Sequence, residues 1–177
     1  MNDESHLVAR LKKGEPEAFD AIYDRYRARV FAFLMRLSGD RPRAEDLTQE
    51  TFVHLARKAR GLQADTRLRP WLFTVARNLF VDQRRRLRLA FDRLRDLALW
   101  PTQRRVPSPF ERAELKQSQL QLEDALAELP AKYREVLLLI CIENFDASEV
   151  ATMLKLTPEL VRKRLSRARS MLKDAIQ

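Results

Sequence analysis

The chain has 177 residues, enough for one medium or two small domains, and its 45% hydrophobic content is sufficient for packed cores. It carries 34 Lys and Arg against 25 Asp and Glu, and this net charge of +9 favours a polyanionic partner, with nucleic acid ahead of a membrane surface. No apolar run approaches the roughly 20 residues that span a bilayer, and the polar N-terminus lacks a signal-peptide core. We therefore expect a cytoplasmic protein without direct membrane insertion.

The periodicity of the chain is helical throughout. Its three glycines, at positions 14, 39 and 61, each follow a segment with helical spacing and have the place of helix stops. No segment shows sustained alternation of apolar and polar residues between hairpin turns. The predicted fold class is all-α.

Four helices are predicted in the N-terminal half, each bounded by proline or glycine. A short helix ends near Gly14, and a longer one extends from about Pro16 to Gly39. A third and a fourth helix begin near Pro42 and Pro70. The third helix separates two faces, with apolar positions on one side and a cluster of four acidic and amide residues on the other: Glu45, Asp46, Gln49 and Glu50.

Helical spacing weakens between residues 87 and 117, where prolines at 101, 107 and 109 interrupt a charged stretch. We interpret this stretch as a flexible linker between two small helical domains, 1–86 and 118–177. In the second domain, a helix from Ala131 to Glu143 is almost entirely apolar along its last half and should be the central buried helix. The single cysteine, Cys141, is expected to be a buried structural thiol.

The segment from Asp146 to Leu172 predicts a helix-turn-helix. Asp146 and Glu149 form a capping-box-like pair at the start of one helix, and Thr157 followed by Pro158 defines the start of the next. Such a motif places its second helix in the major groove, whereas a basic run alone is also compatible with a solvated bundle helix. The face expected to meet DNA contains no acid and consists of Arg162, Lys163, Arg164, Ser166, Arg167 and Arg169.

Four motifs in a fixed order give the chain a family resemblance. They are AEDLTQETF at 44–52, WLFTVARN at 71–78, LPAKYRE at 129–135 and VRKRLSRAR at 161–169. In this order, and separated by a variable linker, they resemble the extracytoplasmic-function (group IV) sigma factors of bacterial RNA polymerase. The similarity extends from about residue 11 to residue 172, apart from the linker.

The resemblance implies a protein partner for the third helix. In the family, the acidic helix of the first domain binds the clamp-helix coiled coil of the largest polymerase subunit, which corresponds here to Glu45, Asp46, Gln49 and Glu50. A basic protein that keeps acids exposed fits such a partner. The alternative is an ordinary solvated helix whose acids favour its N-terminal dipole.

The next loop and helix, by the same resemblance, capture the melted strand of the minus-ten promoter element. Unstacked bases need flat partners and amide or guanidinium donors, and this segment contains both. Phe73 and Asn78 are expected to make contacts, while Trp71 is expected to pack in the core rather than stack on a base. The full candidate set is Gly61, Asp65, Arg67, Arg69, Trp71, Phe73, Arg77, Asn78, Arg84 and Arg85.

The second helix of the helix-turn-helix is expected to bind the minus-thirty-five duplex. We assign base edges to four residues and phosphates to Arg164 and Arg169, with Thr157 at the helix start. The four are Arg162, Lys163, Ser166 and Arg167. Lys155 and Glu159 depart from the family pattern, because each stands where glycine is common. A left-handed lysine costs on the order of 1 kcal/mol, and Glu159 suits the helix dipole but repels phosphate.

Nothing in the sequence predicts catalysis, a metal or another cofactor, because no phosphate loop or metal-ligand spacing is present. The expected partners are core polymerase, promoter DNA and an anti-sigma factor. Two other classes remain open. One is an autonomous helix-turn-helix regulator with an N-terminal sensing or dimerisation domain, and the other is a basic membrane-surface protein.

Overall fold

The computed structural model describes the backbone of residues 3–94 and 117–176, and the side chains of residues 4–89 and 120–176. Within these ranges the secondary structure is helical and no strand occurs, as the periodicity predicts. The chain divides into two compact units, Met1–Gln103 and Arg104–Gln177. The predicted fold class, two small all-α domains, is therefore confirmed.

The first unit contains four α-helices in its described part. They are α1 (Asp3–Lys12), α2 (Pro16–Ser38), α3 (Arg41–Lys58) and α4 (Leu68–Leu94), with a 3₁₀ turn at Ala59–Gly61 between the last two. Helix α4 extends beyond residue 86, where we placed the end of the first domain. Residues 95–116 of the predicted linker lie outside the described residues.

Local signals account for the helix boundaries in this unit. Gly14 and Gly39 adopt left-handed conformations, with φ of 81° and 67°, which glycine tolerates without steric cost. The N–H of Gly39 donates to the carbonyl of Met35 and so closes the end of α2. Asp40 begins α3 because its Oδ1 accepts from the N–H of Arg43 at 2.9 Å. These residues fix the connection between α2 and α3.

The core of the first unit lies where α2, α3 and α4 pack together. Phe33 of α2 and Phe73 of α4 meet edge to face, with ring centroids 5.3 Å apart. Phe73 is 0% exposed, so the expectation that it makes contacts with DNA is wrong. The physical reason is that α4 packs against both α2 and α3. More of the helix circumference is therefore buried, and the buried side includes Phe73 as well as Leu72.

The second unit contains α5 (Gln117–Glu128), α6 (Ala131–Leu137), α7 (Ala147–Leu154) and α8 (Pro158–Ile176) in its described part. The predicted helix from residue 131 to 143 is confirmed as a continuous helix, but its second half, Leu138–Ile142, is a π-helical turn that continues α6. There the N–H of Glu143 donates to the carbonyl of Leu138, five residues back, at 2.9 Å.

The π-helical turn also changes the position of the cysteine. Cys141 is exposed, whereas Leu138 and Leu139 are buried, so the expectation of a buried thiol is wrong. A π-helical turn winds through fewer degrees per residue than an α-helix. Cys141 therefore does not return to the face that α-helical spacing assigns to the core. Its Sγ instead accepts from Nη2 of Arg169 at 3.6 Å.

The helix-turn-helix forms as predicted from α7 and α8. Asp146 accepts from the N–H of Glu149 at 2.8 Å, and the Glu149 side chain accepts from the N–H of Asp146 at 3.0 Å, which completes a capping box. Lys155 ends α7 in a left-handed conformation with φ of 54°. Thr157 caps α8, since its Oγ1 accepts from the N–H of Leu160 at 3.2 Å.

Candidate functional site

The acidic surface on α3 consists of Glu45, Asp46, Gln49 and Glu50, and all four side chains are exposed. The opposite side of α3, including Leu47 and Thr51, is buried. Glu45 pairs with Arg41 at 2.9 Å, an exposed contact one helical turn apart. Within residues 4–89 and 120–176, Asp46 and Glu50 have no ion-pair partner, so their charge is available to another molecule.

The predicted minus-ten segment begins with a loop between α3 and α4. Gly61, Asp65 and Arg67 of this loop are exposed, and Arg69 in the first turn of α4 is half-buried. Leu62 and Leu68 are buried and attach both ends of the loop to the core. The loop is thus a short exposed segment with fixed ends.

Helix α4 continues the same surface. Trp71 is half-buried rather than enclosed in the core, and Asn78 is exposed. Asn78 accepts from Nη1 of Arg77 at 3.3 Å, which joins an amide and a guanidinium on one surface. Arg84 and Arg85 are exposed farther along the helix, and the Arg84 guanidinium lies 5.7 Å from the ring centroid of Phe80. The exposed side of α4 thus presents hydrogen-bond donors and cations, but the ring of Phe73 is buried and is not part of this surface.

Helix α8 exposes a cationic face and buries Val161 and Ala168 on the other side. Arg162, Lys163, Ser166 and Arg167 are all exposed, as predicted for residues that reach a ligand. Lys163 pairs with Glu159 at 2.7 Å, and both side chains are well exposed, so water screens this pair strongly. Arg169 is exposed as well, and its guanidinium contacts Cys141.

Arg164 has a different environment from its neighbours on α8. It is half-buried, and its Nη1 lies 3.6 Å from Oε1 of Glu135, a residue of α6 that is only 4% exposed. A buried carboxylate needs a nearby cation or hydrogen-bond donors to remain charged. Arg164 therefore stabilises the contact between α6 and α8, a role that its spacing in the sequence does not reveal.

The described residues contain neither a candidate metal site nor a candidate membrane-spanning helix. No group of three or more His, Cys, Asp or Glu side chains is placed to hold a metal ion within these residues. None of the helices in the described ranges combines the length and the apolar character that crossing a bilayer requires.

Comparison with known families and proteins agrees with this arrangement. Sigma-70 region 2 matches residues 22–90, and sigma-70 region 4 matches residues 119–172. The ECF RNA polymerase sigma factor SigM of Bacillus subtilis is 33% identical over 154 residues, which cover 87% of this chain and 92% of SigM. The sigma factor SigL of Mycobacterium tuberculosis is 31% identical, covering 96% of this chain and 95% of SigL.

Solved structures with a similar fold include two proteins that are each bound to another protein. The sigma factor RpoE in complex with the anti-sigma factor NepR, from Bartonella quintana, matches with a TM-score of 0.73 and 25% identity over 89% of this chain and 96% of RpoE. CnrH, in complex with the cytosolic domain of CnrY, matches with a TM-score of 0.72 and 25% identity, covering 98% and 96% of the two chains. With both sigma-70 regions in order, and with curated relatives covered over almost their whole length, this chain belongs to the ECF sigma factors of bacterial RNA polymerase.

Proposed function

We propose that this protein directs core RNA polymerase to specific promoters, with its first unit binding polymerase and the minus-ten element and its second unit binding the minus-thirty-five element. The observation that carries the proposal is the presence, in one ECF sigma factor, of an exposed acidic surface on α3 and an exposed cationic face on α8. The protein acts in the cytoplasm and is not itself an enzyme, since polymerase performs the nucleotidyl transfer.

The acidic surface on α3 is the polymerase contact. Its helix is held rigidly by buried residues on the reverse side, and Asp46 and Glu50 lie one turn apart with exposed side chains. A rigid pair of carboxylates suits a basic protein surface, because little conformational entropy is lost when the complex forms.

Minus-ten recognition uses the loop from Gly61 to Arg69 and the exposed side of α4. Asn78 and Arg77 offer amide and guanidinium groups to a base edge, and the half-buried Trp71 offers part of an indole ring. Arg84 and Arg85 bind phosphates of the same strand. Binding energy gained from unstacked bases offsets part of the free energy of strand opening.

Minus-thirty-five recognition uses α8 in the major groove. Arg162, Lys163, Ser166 and Arg167 contact base edges, with Arg169 at the phosphates and Thr157 at the helix start. The pairing of Arg164 with the buried Glu135 supports a structural role for Arg164 in place of a phosphate contact.

A regulatory protein controls access to these surfaces. The similar RpoE and CnrH structures each contain a second protein, which in the case of RpoE is the anti-sigma factor NepR. We infer an anti-sigma partner for this chain as well, one that covers the polymerase-binding or DNA-binding surfaces when transcription is switched off.

Run-off transcription with purified core polymerase tests the proposal. We expect the full chain to confer promoter-dependent initiation, with start sites that depend on the added protein. Tight and specific operator binding by the chain alone, without stimulation of core polymerase, would instead identify an autonomous helix-turn-helix regulator.

Charge reversal on α3 tests the polymerase contact. Asp46→Lys with Glu50→Lys should weaken association with core polymerase at least tenfold and leave thermal unfolding unchanged, because both side chains are exposed. The matched control is Asp20→Lys with Asp24→Lys, a second exposed pair one turn apart, on α2. Equal effects of the two double variants on polymerase association would show that general charge, rather than the α3 surface, determines binding.

A further inference from the structure

A shallow groove on the second unit connects the DNA-facing helix to a residue outside the helix-turn-helix. The groove has a volume of about 240 Å³ and lies between α6 and α8. Four of its six side chains are cationic and none is acidic. They are Lys132 and Tyr133 from α6, and Leu160, Lys163, Arg164 and Arg167 from α8.

Two of the four cations already have carboxylate partners. Arg164 lies beside the buried carboxylate of Glu135 at 3.6 Å, and Lys163 pairs with Glu159 at 2.7 Å. The Arg164 pair is half-buried and holds α6 against α8, whereas the Lys163 pair is exposed and easily exchanged for another anion. The charge of Arg164 is therefore the least available in the groove.

The other two cations are available. Lys132 and Arg167 are exposed, and neither has a carboxylate at ion-pair distance among the residues whose side chains are described. Nζ of Lys132 lies 4.9 Å from the ring centroid of Tyr133. A cation–π contact of this kind orients the ammonium group without neutralising it. Lys132 is thus held at the groove with its full charge.

We infer that Lys132 is a phosphate contact beside the minus-thirty-five element, so that the DNA-binding surface extends from α8 across the groove onto α6. This inference rests on the proposed function, because it requires α8 to lie in the major groove. A helix in a groove about 12 Å wide lies between two phosphate backbones. Lys132 is next to Lys163 and Arg167, and it is therefore placed to meet one of these backbones.

The chemistry of the groove favours DNA over the other polyanion available to the protein, an acidic protein segment. Such a segment would use Leu160, which is 39% exposed, as an apolar contact. However, Lys163 and Arg167 belong both to the groove and to the exposed face of α8, so one continuous ligand accounts for all of these cations. Lysine acts on phosphate as a point charge, and this contact carries no sequence information.

The test uses polymerase holoenzyme reconstituted with the full chain carrying Lys132→Gln. Its affinity for a labelled duplex fragment of a promoter that supports run-off transcription is measured by fluorescence anisotropy over a range of salt concentrations. We expect roughly threefold weaker binding at low salt and a slope of log affinity against log salt that is shallower by about 0.9, the value for one lost phosphate contact. The variant should lose affinity by the same factor on a fragment whose minus-thirty-five sequence is scrambled, because a phosphate contact does not depend on base sequence.

The matched control is Lys173→Gln, which removes an exposed lysine in the last turn of α8 that does not line the groove. Binding and salt slope equal to wild type in Lys132→Gln would overturn the inference, and so would a loss equal to that of the control. If Lys132→Gln left promoter binding unchanged but weakened association with polyglutamate, the groove would bind an acidic protein, and the inference would also be overturned. In each of these cases wild-type promoter binding persists, whereas its absence would contradict the proposed function itself.

Discussion

Individual residues of α8 differ in role although they share one basic run. Arg162, Arg164 and Arg167 lie within two turns of each other, yet only Arg164 meets a carboxylate that is 4% exposed. Removing its guanidinium takes a cation away from the Glu135 carboxylate in a region of low dielectric constant. We therefore expect Arg164 to contribute more to the stability of the second unit than to its affinity for DNA.

Substitution of this arginine separates the two roles. Arg164→Ala should destabilise the second unit by about 1–3 kcal/mol, because a buried charged acceptor loses a partner. Arg162→Ala, the control on the exposed face, should leave thermal unfolding unchanged and weaken promoter binding. Calorimetry and anisotropy on both variants measure the difference. If Arg164→Ala melted at the wild-type temperature but bound DNA more weakly, Arg164 would instead be a phosphate contact.

At the scale of the element, the turn between α7 and α8 contains local strain. Lys155 has φ of 54°, a left-handed conformation that is unfavourable for a residue with a Cβ atom. Its N–H donates to the carbonyls of Ala151 and Thr152, so this backbone donor has hydrogen-bond acceptors despite the strained conformation. The capping box and the cap at Thr157 define the helix ends on either side, and they hold the turn in this conformation.

Glycine at this position should relieve the strain. Lys155→Gly is expected to stabilise the second unit by about 0.5–1 kcal/mol, which is the left-handed penalty minus the extra entropy that glycine gives the unfolded chain. Thermal unfolding measures the change. Lys155→Ala is the control, since it removes the long side chain but keeps the Cβ atom and should give no gain. Equal melting temperatures for the glycine and alanine variants would contradict the strain argument.

Helix α1 is attached to α2 by a buried tyrosine. Oη of Tyr26 donates to Oε1 of Glu4 at 2.6 Å. Burial of the phenol, together with this hydrogen bond, raises the pKa of Tyr26 from its ordinary value of 10.0 to about 12. The folded state thus favours the neutral phenol. Its contribution to stability is complete below pH 10 and is lost as the pH rises toward about 12.

Tyr26→Phe tests this attachment. The variant should be less stable than wild type by about 0.5–1.5 kcal/mol at neutral pH, the usual net value of one hydrogen bond. The difference should shrink between pH 10 and 12, because wild type then loses the favourable proton. Denaturant unfolding at both pH values measures it. Tyr23→Phe, the control, removes a half-buried phenol elsewhere on α2 and measures the effect on stability of losing a hydroxyl that does not bind Glu4.

At the scale of the whole molecule, two separately packed units contain surfaces of opposite charge. Under the proposed function, the acidic surface on α3 binds a basic protein and the cationic face of α8 binds a nucleic acid. Each unit has its own buried core, so a surface substitution in one unit should not alter the other. Under the proposed function, the steps of promoter binding are therefore separable by mutation.

Arg167→Ala should affect only the upstream step. We expect the holoenzyme to lose about 1–3 kcal/mol of binding to the minus-thirty-five duplex, the value for one bidentate base contact. Association with core polymerase should stay at the wild-type level. Promoter fragments with and without the upstream element, compared by anisotropy, provide the measurement. A loss of the same size on both fragments would mean that Arg167 contacts phosphate rather than a base.

The sequence alone determined the fold class, most of the helix starts and the exposure of most residues in the candidate surfaces. Caps and stops such as Gly39, Asp146 and Thr157 act on backbone groups within a few residues, so their effect can be predicted from local sequence. Helical spacing likewise placed Asp46 and Arg167 opposite the buried sides of their helices. The motifs, in their order, were sufficient to identify the family.

Only the tertiary structure decided which neighbours each helix has, and several predictions depended on this. Phe73 is buried because α4 packs against two helices at once, and Cys141 is exposed because the end of α6 is π-helical. Arg164 meets Glu135 across 29 positions of sequence. Lys132 likewise shares a groove with Arg167 only after α6 and α8 have packed. Contacts between residues distant in the chain depend on packing, and no local pattern specifies them.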